Sequence, residues 1–80
     1  MIDNEYSTSD LGCASYLHCC GFTLEALDRE NPHRVQFCFR RDPGLDAACQ
    51  AYFSGEAKVN PMALLMSQKM LKQRLYDEKA

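Results

Sequence analysis

The chain has 80 residues, a formal net charge of −2 and five cysteines. That length holds one domain with a limited core, so stability is marginal unless something adds to it. The overall acidity argues against a dedicated DNA binder, and the polar, acidic opening does not read as a secretory signal.

Charge is unevenly spread. Residues 1–33 carry six acids (Asp3, Glu5, Asp10, Glu25, Asp28, Glu30) and one base, Arg29; residues 58–80 carry five bases (Lys58, Lys69, Lys72, Arg74, Lys79) and two acids, Asp77 and Glu78. Such asymmetry suits self-complementary contacts as well as a nucleic-acid partner. The longest apolar run, Pro61 to Met66, falls far short of the ~20 residues a membrane span needs. The expectation is a cytoplasmic protein, without membrane contact, whose cysteines are reduced.

Residues 1–6 read as a flexible arm before a single domain over 7–77. Ser7-Thr8-Ser9-Asp10 supplies side-chain oxygens for the first free amides of a helix. Leu11, Ala14, Tyr16, Leu17 and Cys20 follow, so a helix is expected from about Ser9, with Asp10 in its first turn, to Cys20, where Gly21 stops it. Phe22, Leu24 and Ala26 alternate with Thr23 and Glu25 as a strand, a pattern that Leu27 breaks. Glu30-Asn31-Pro32-His33 is turn chemistry.

The clearest strand is Arg34 to Arg40. Val35, Phe37 and Phe39 alternate with Arg34, Gln36, Cys38 and Arg40, the period of a half-buried strand. It pairs with the strand before it as an antiparallel hairpin. Asp42-Pro43 then predicts a helix start, and Leu45, Ala48, Cys49, Tyr52 and Phe53 form one apolar stripe ended by Gly55. Asn60-Pro61 opens the last helix, to Asp77. Leu64, Leu71 and Leu75 fall on one side of it, for docking on the hairpin. Met62, Met66 and Met70 fall on a nearly opposite side, with Leu65 and Tyr76 between; that second side needs the first helix or a second subunit. The fold expected is α+β: helix, β-hairpin, helix, helix, with the helices on one face of a small antiparallel sheet.

Chemistry-bearing residues each have a plainer reading beside them. His18-Cys19-Cys20 with Cys13 is a cluster of soft ligands, but zinc sites want two spaced pairs, and neighbouring helix positions point about 100° apart. Cys13, Cys20 and Cys49 read as small core hydrophobes and Cys19 as a surface thiol, so neither metal, cofactor nor catalytic residue is expected. Glu25, Asp28 and Glu30 read as a solvated edge that discourages strand addition. Arg34, Gln36, Arg40 and Arg41 can face solvent together, and a two-stranded ribbon bearing Arg and Gln fits a DNA major groove. The plainer reading pairs these arginines with Glu25 and Asp28. Met62, Met66 and Met70 read as a homodimer seam.

Taken in order, Ser7-Thr8-Ser9-Asp10-Leu11, Ala14-Ser15-Tyr16-Leu17, Gly21-Phe22, Arg34-Val35-Gln36-Phe37 with Phe39, Tyr52-Phe53-Ser54-Gly55-Glu56 with Val59, and Leu71-Lys72 to Leu75-Tyr76 resemble a family of short bacterial and phage-associated proteins of unknown function. The resemblance covers nearly the whole chain and carries over no activity and no catalytic residues. The expectation is therefore a non-enzymatic interaction module acting as a homodimer. A nucleic-acid-binding accessory protein is the alternative, and a thiol or zinc protein using His18, Cys19 and Cys20 a weaker one.

Overall fold

The computed structural model describes residues 4–77. Its elements run β1 (Glu5–Thr8), α1 (Leu11–Cys19), β2 (Leu24–Asp28), β3 (Gln36–Arg40), α2 (Leu45–Ser54) and α3 (Pro61–Asp77). The fold is α+β, as expected, but the sheet has three strands rather than two, in the order β1-β3-β2 and antiparallel throughout.

The strand with the clearest alternation is the middle of that sheet. Phe37 and Phe39 are buried under the helices, while Val35 lies just before the strand and is half-buried. Tyr6 and Thr8 of β1 stand beside Phe39 and Phe37 on one flank, Leu24 and Leu27 of β2 on the other. Glu5, Ser7, Ala26, Asp28, Gln36, Cys38 and Arg40 occupy the alternate positions of the ladder.

Two expectations change here. The arm predicted over residues 1–6 is, at Glu5 and Tyr6, strand β1; residues 1–3 lie outside the described residues. One apolar residue in four gives such a strand little local signature, and its pairing partners lie 29 to 35 positions along the chain. In β2, Leu24 pairs with Phe39 and Ala26 with Cys38, so Glu25 is an extra residue, a β-bulge. The bulge turns Glu25 and Ala26 both outward and returns Leu27 to the core side. Leu27 breaks the alternation for that reason.

Helix α1 opens at Leu11, later than the start expected near Ser9, because Ser7 and Thr8 belong to β1 and Asp10 is the cap and not part of the first turn. Asp10 Oδ1 accepts from the Cys13 amide at 3.1 Å, and Thr8 Oγ1 accepts from the Asp10 amide at 3.1 Å. Gly21, at φ 97°, lets the amides of Gly21 and Phe22 reach the carbonyls of His18 and Leu17. Cys13, Ala14, Ser15, Tyr16 and Leu17 are all buried, because α2 and α3 both pack on this helix while its start meets β1. Ser15 fits that setting by donating its hydroxyl to the Leu11 carbonyl at 2.7 Å. Cys20, expected in the core, lies past the helix end and is exposed; Cys19, expected on the surface, is half-buried.

Helix α2 starts later than Asp42-Pro43 predicts. The Asp42 carboxylate is taken by Arg40 Nε at 3.0 and 3.2 Å, and the helix opens at Leu45 after Gly44 turns the chain at φ 92°. The Leu45 amide bonds the Asp42 backbone carbonyl at 3.1 Å, so residues 42–45 close a turn ahead of the helix. Leu45 and Cys49 are buried and Ala48 and Tyr52 partly so, but Phe53 is 61% exposed and leaves the expected stripe. Gly55, at φ 82°, ends the helix as predicted.

Helix α3 opens where Asn60-Pro61 places it, with Asn60 Oδ1 accepting from the amides of Met62 and Ala63 at 2.9 and 3.3 Å. Leu71 is 1% exposed, and Leu64 and Leu75 pack against the same core. Their main support is α1, not the hairpin. A single 17-residue helix, far longer than any strand here, finds its longest matching surface along another helix.

Candidate interaction surface

The two rows of α3 lie on opposite sides of the helix, as 100° per residue requires. The inner row (Leu64, Ser67, Leu71, Leu75) faces the core. The outer side leaves Met62 at 66% exposure, Leu65 at 57%, Met66 at 62% and Met70 at 54%. Methionine is flexible and polarisable and adapts to whatever packs on it. Met66, Lys69, Met70, Gln73 and Arg74 line an open hollow of ≈ 420 Å³ on this helix. Tyr76, also exposed, carries the apolar surface toward the C-terminal end.

Position on this helix is held by two side chains that local pattern does not reveal. His18 Nδ1 lies 3.0 Å from Ser67 Oγ, linking the end of α1 to the middle of α3. Arg29, in the turn after β2, donates from Nη2 to the Leu75 carbonyl at 2.6 Å and to the Arg74 carbonyl at 3.5 Å. Those carbonyls belong to the last turn of the helix, where a cation also meets the negative end of the dipole. A hydroxyl beside an imidazole can serve as an activated nucleophile, but Ser67 is buried between two helices and here the contact joins them.

The four residues proposed as a nucleic-acid contact are spread along β3 and its two ends. Gln36 and Arg40 are about 13 Å apart along β3, and Arg34 lies beyond Gln36 in the turn. Since β3 is the middle strand, no two-stranded ribbon carries them. Glu5 pairs with Arg40 across one ladder and Asp28 with Gln36 across the other. Arg40 binds Asp42 at 3.0 Å, and Arg41 binds Asp46 at 3.1 Å while its guanidinium stands 5.8 Å from the Tyr6 ring centre. Thus the acids that answer these arginines are Asp42 and Asp46, not Glu25 and Asp28. Arg34 Nε donates to Ser9 Oγ at 3.0 Å. Arg34 and Gln36 line one hollow with Asp28, Glu30 and Asn31, while Arg40 and Arg41 lie at the other end of β3 and bind separate acids.

Among the cysteines, Cys13 and Cys49 meet Tyr6 inside the domain. Burial pushes the Cys13 thiol up to about 12, with Cys49 adding to the rise, and burial likewise pushes the Tyr6 hydroxyl well above its usual range. A thiol so held stays protonated and unreactive at neutral pH. Tyr16 is also raised, chiefly by its hydrogen bond to Cys20. Cys38 is buried in the middle strand beside Ser7, whose hydroxyl lies 3.4 Å from its sulfur. Among the described residues no three His, Cys, Asp or Glu side chains are grouped to hold a metal ion, and His18, Cys19 and Cys20 are not gathered around one point.

Fold and surface together define a small α+β domain with one apolar helix side open to solvent. No helix among the described residues is long and apolar enough to cross a membrane. The chain belongs to the family described as Domain of unknown function (DUF5659), which matches residues 3–77. No curated protein and no solved structure matches it.

Proposed function

We propose that this domain is a non-enzymatic interaction module of the cytoplasm that associates with a second copy of itself through the outer side of α3. One observation carries this reading: Met62, Leu65, Met66 and Met70, neighbours on one helix, are each more than half exposed. Scattered apolar residues are ordinary on a surface, but a contiguous set marks a contact. Covering the exposed part of each returns about 1 to 1.5 kcal/mol, so two copies together gain roughly 8 to 12 kcal/mol. Association costs at least about 4 kcal/mol. With the smallest cost the balance is a micromolar to millimolar dissociation constant, and any larger cost weakens it, so the state depends on concentration. Sedimentation over a concentration series tests this. A mass that climbs toward the dimer, and stays monomeric in Met66→Lys, supports it; a monomer up to about 1 mM overturns it.

A second reading, a nucleic-acid-binding accessory protein, is favoured by Arg34, which is exposed and whose bond to Ser9 involves only Nε. Lys58, Lys69 and Lys72 add phosphate contacts in that case. Its signature is salt-dependent binding to DNA or RNA that is lost in Arg34→Ala and Arg40→Ala; no binding at low salt ends it.

A further inference from the structure

We infer that the two copies meet with their α3 helices antiparallel, related by a two-fold axis passing close to Met66. This rests on the self-association proposed above and adds its geometry. The exposed apolar residues Met62, Leu65, Met66 and Met70 are centred on Met66. Charge is not so centred: residues 61–68 carry none, whereas Lys69, Lys72 and Arg74 follow within six residues. Lys69 lies almost on the midline of the exposed side, between Met66 and Gln73 at helical spacing.

Parallel pairing puts each Lys69 against its own copy, with the helices about 8 to 10 Å apart, and runs the two basic halves together. Like charges so placed repel. Reversing one helix about Met66 removes the conflict. Met62 then stands level with the partner's Met70, and Lys69 with the partner's Ala63, a small exposed residue over which the apolar part of a lysine lies while its ammonium stays in water. Lys72 comes level with the partner's uncharged Asn60, at the start of the helix, beyond which the connector carries both exposed Lys58 and exposed Glu56. The helix dipoles also oppose each other in this arrangement.

Cysteine trapping in the full chain separates the geometries. In a Cys19→Ser, Cys20→Ser background, Met66→Cys and Gln73→Cys are oxidised separately with diamide near millimolar protein. Antiparallel pairing joins position 66 to its copy but holds the two positions 73 about 21 Å apart along the axis, so the Gln73→Cys dimer is expected at under about a tenth of the Met66→Cys yield. Mixing Met62→Cys with Met70→Cys chains is expected to give the mixed disulfide in preference to either like pair. Equal trapping at 66 and 73, or like pairs in the mixture, overturns the antiparallel arrangement and leaves self-association standing. No trapping at any position, with sedimentation still showing dimer, overturns it by placing the contact off α3. No trapping with a monomer throughout overturns the self-association itself.

Discussion

Helix α3 has two apolar sides of similar composition and opposite fate. The inner row, Leu64, Ser67, Leu71 and Leu75, meets α1; the outer set, Met62, Leu65, Met66 and Met70, meets water. Hydrophobicity alone does not choose between them. The inner row has a serine at its centre, small enough for close helix approach and able to bond His18 of α1. It also ends where Arg29 reaches the last carbonyls. Shape and two polar ties select the docked side, and the flexible methionines are left for a contact made later and more weakly.

Substitutions that treat the sides differently put this contrast at risk. Leu71→Ala empties a site 1% exposed and is expected to cost about 2 to 5 kcal/mol, read from urea unfolding in dilute solution; a loss no greater than that of an outer residue would erase the distinction. Alkaline titration probes the core beneath the helices. The folded-state pKa of Cys13, about 12, lies above its ordinary 9.0, so the folded state favours the neutral thiol. That contribution is complete below about pH 9 and is lost as pH rises toward 12. The stability of Cys13→Ala is expected to fall less steeply over this window than that of the parent chain. Ser67→Ala leaves His18 Nδ1 without its partner and is expected to cost about 1 to 2 kcal/mol, visible as a lower urea midpoint.

Arg29→Met keeps most of the side chain's bulk but removes the donor at the Leu75 carbonyl. About 1 kcal/mol is expected, felt in amide exchange as faster opening at the end of α3 with little change near Asn60. Met66→Lys is the smallest expected effect on folding, within about 0.5 kcal/mol for the isolated chain. Its full consequence should be the loss of concentration-dependent mass, and a large drop in folding stability would mean that the outer side supports the fold after all.

Local chemistry was enough to locate much of this molecule. Gly21 and Gly55 mark two helix ends, Asn60-Pro61 a helix start, Asp10 a cap, and Phe37 with Phe39 the buried side of a strand. Each depends on groups within a few residues of one another, and chain geometry alone determines whether they meet. The apolar duality of α3 was equally visible, because helical periodicity sorts residues into rows without any partner present.

What remained hidden required contacts between distant residues. Strand β1 exists because the edge of β3 has unpaired backbone groups for Glu5–Thr8 to complete. Asp42 serves Arg40 rather than the helix behind it, the bulge at Glu25 turns Leu27 inward, and α3 is tied to α1 through Ser67 and to the turn after β2 through Arg29. In every case several local arrangements are of similar energy, and packing or one well-aimed charged bond separates them. From the amino-acid order alone come the helices, the hairpin and the apolar rows; their partners were decided in three dimensions, where a desolvated side chain or an unpaired carbonyl must be answered by whatever the folded chain brings beside it.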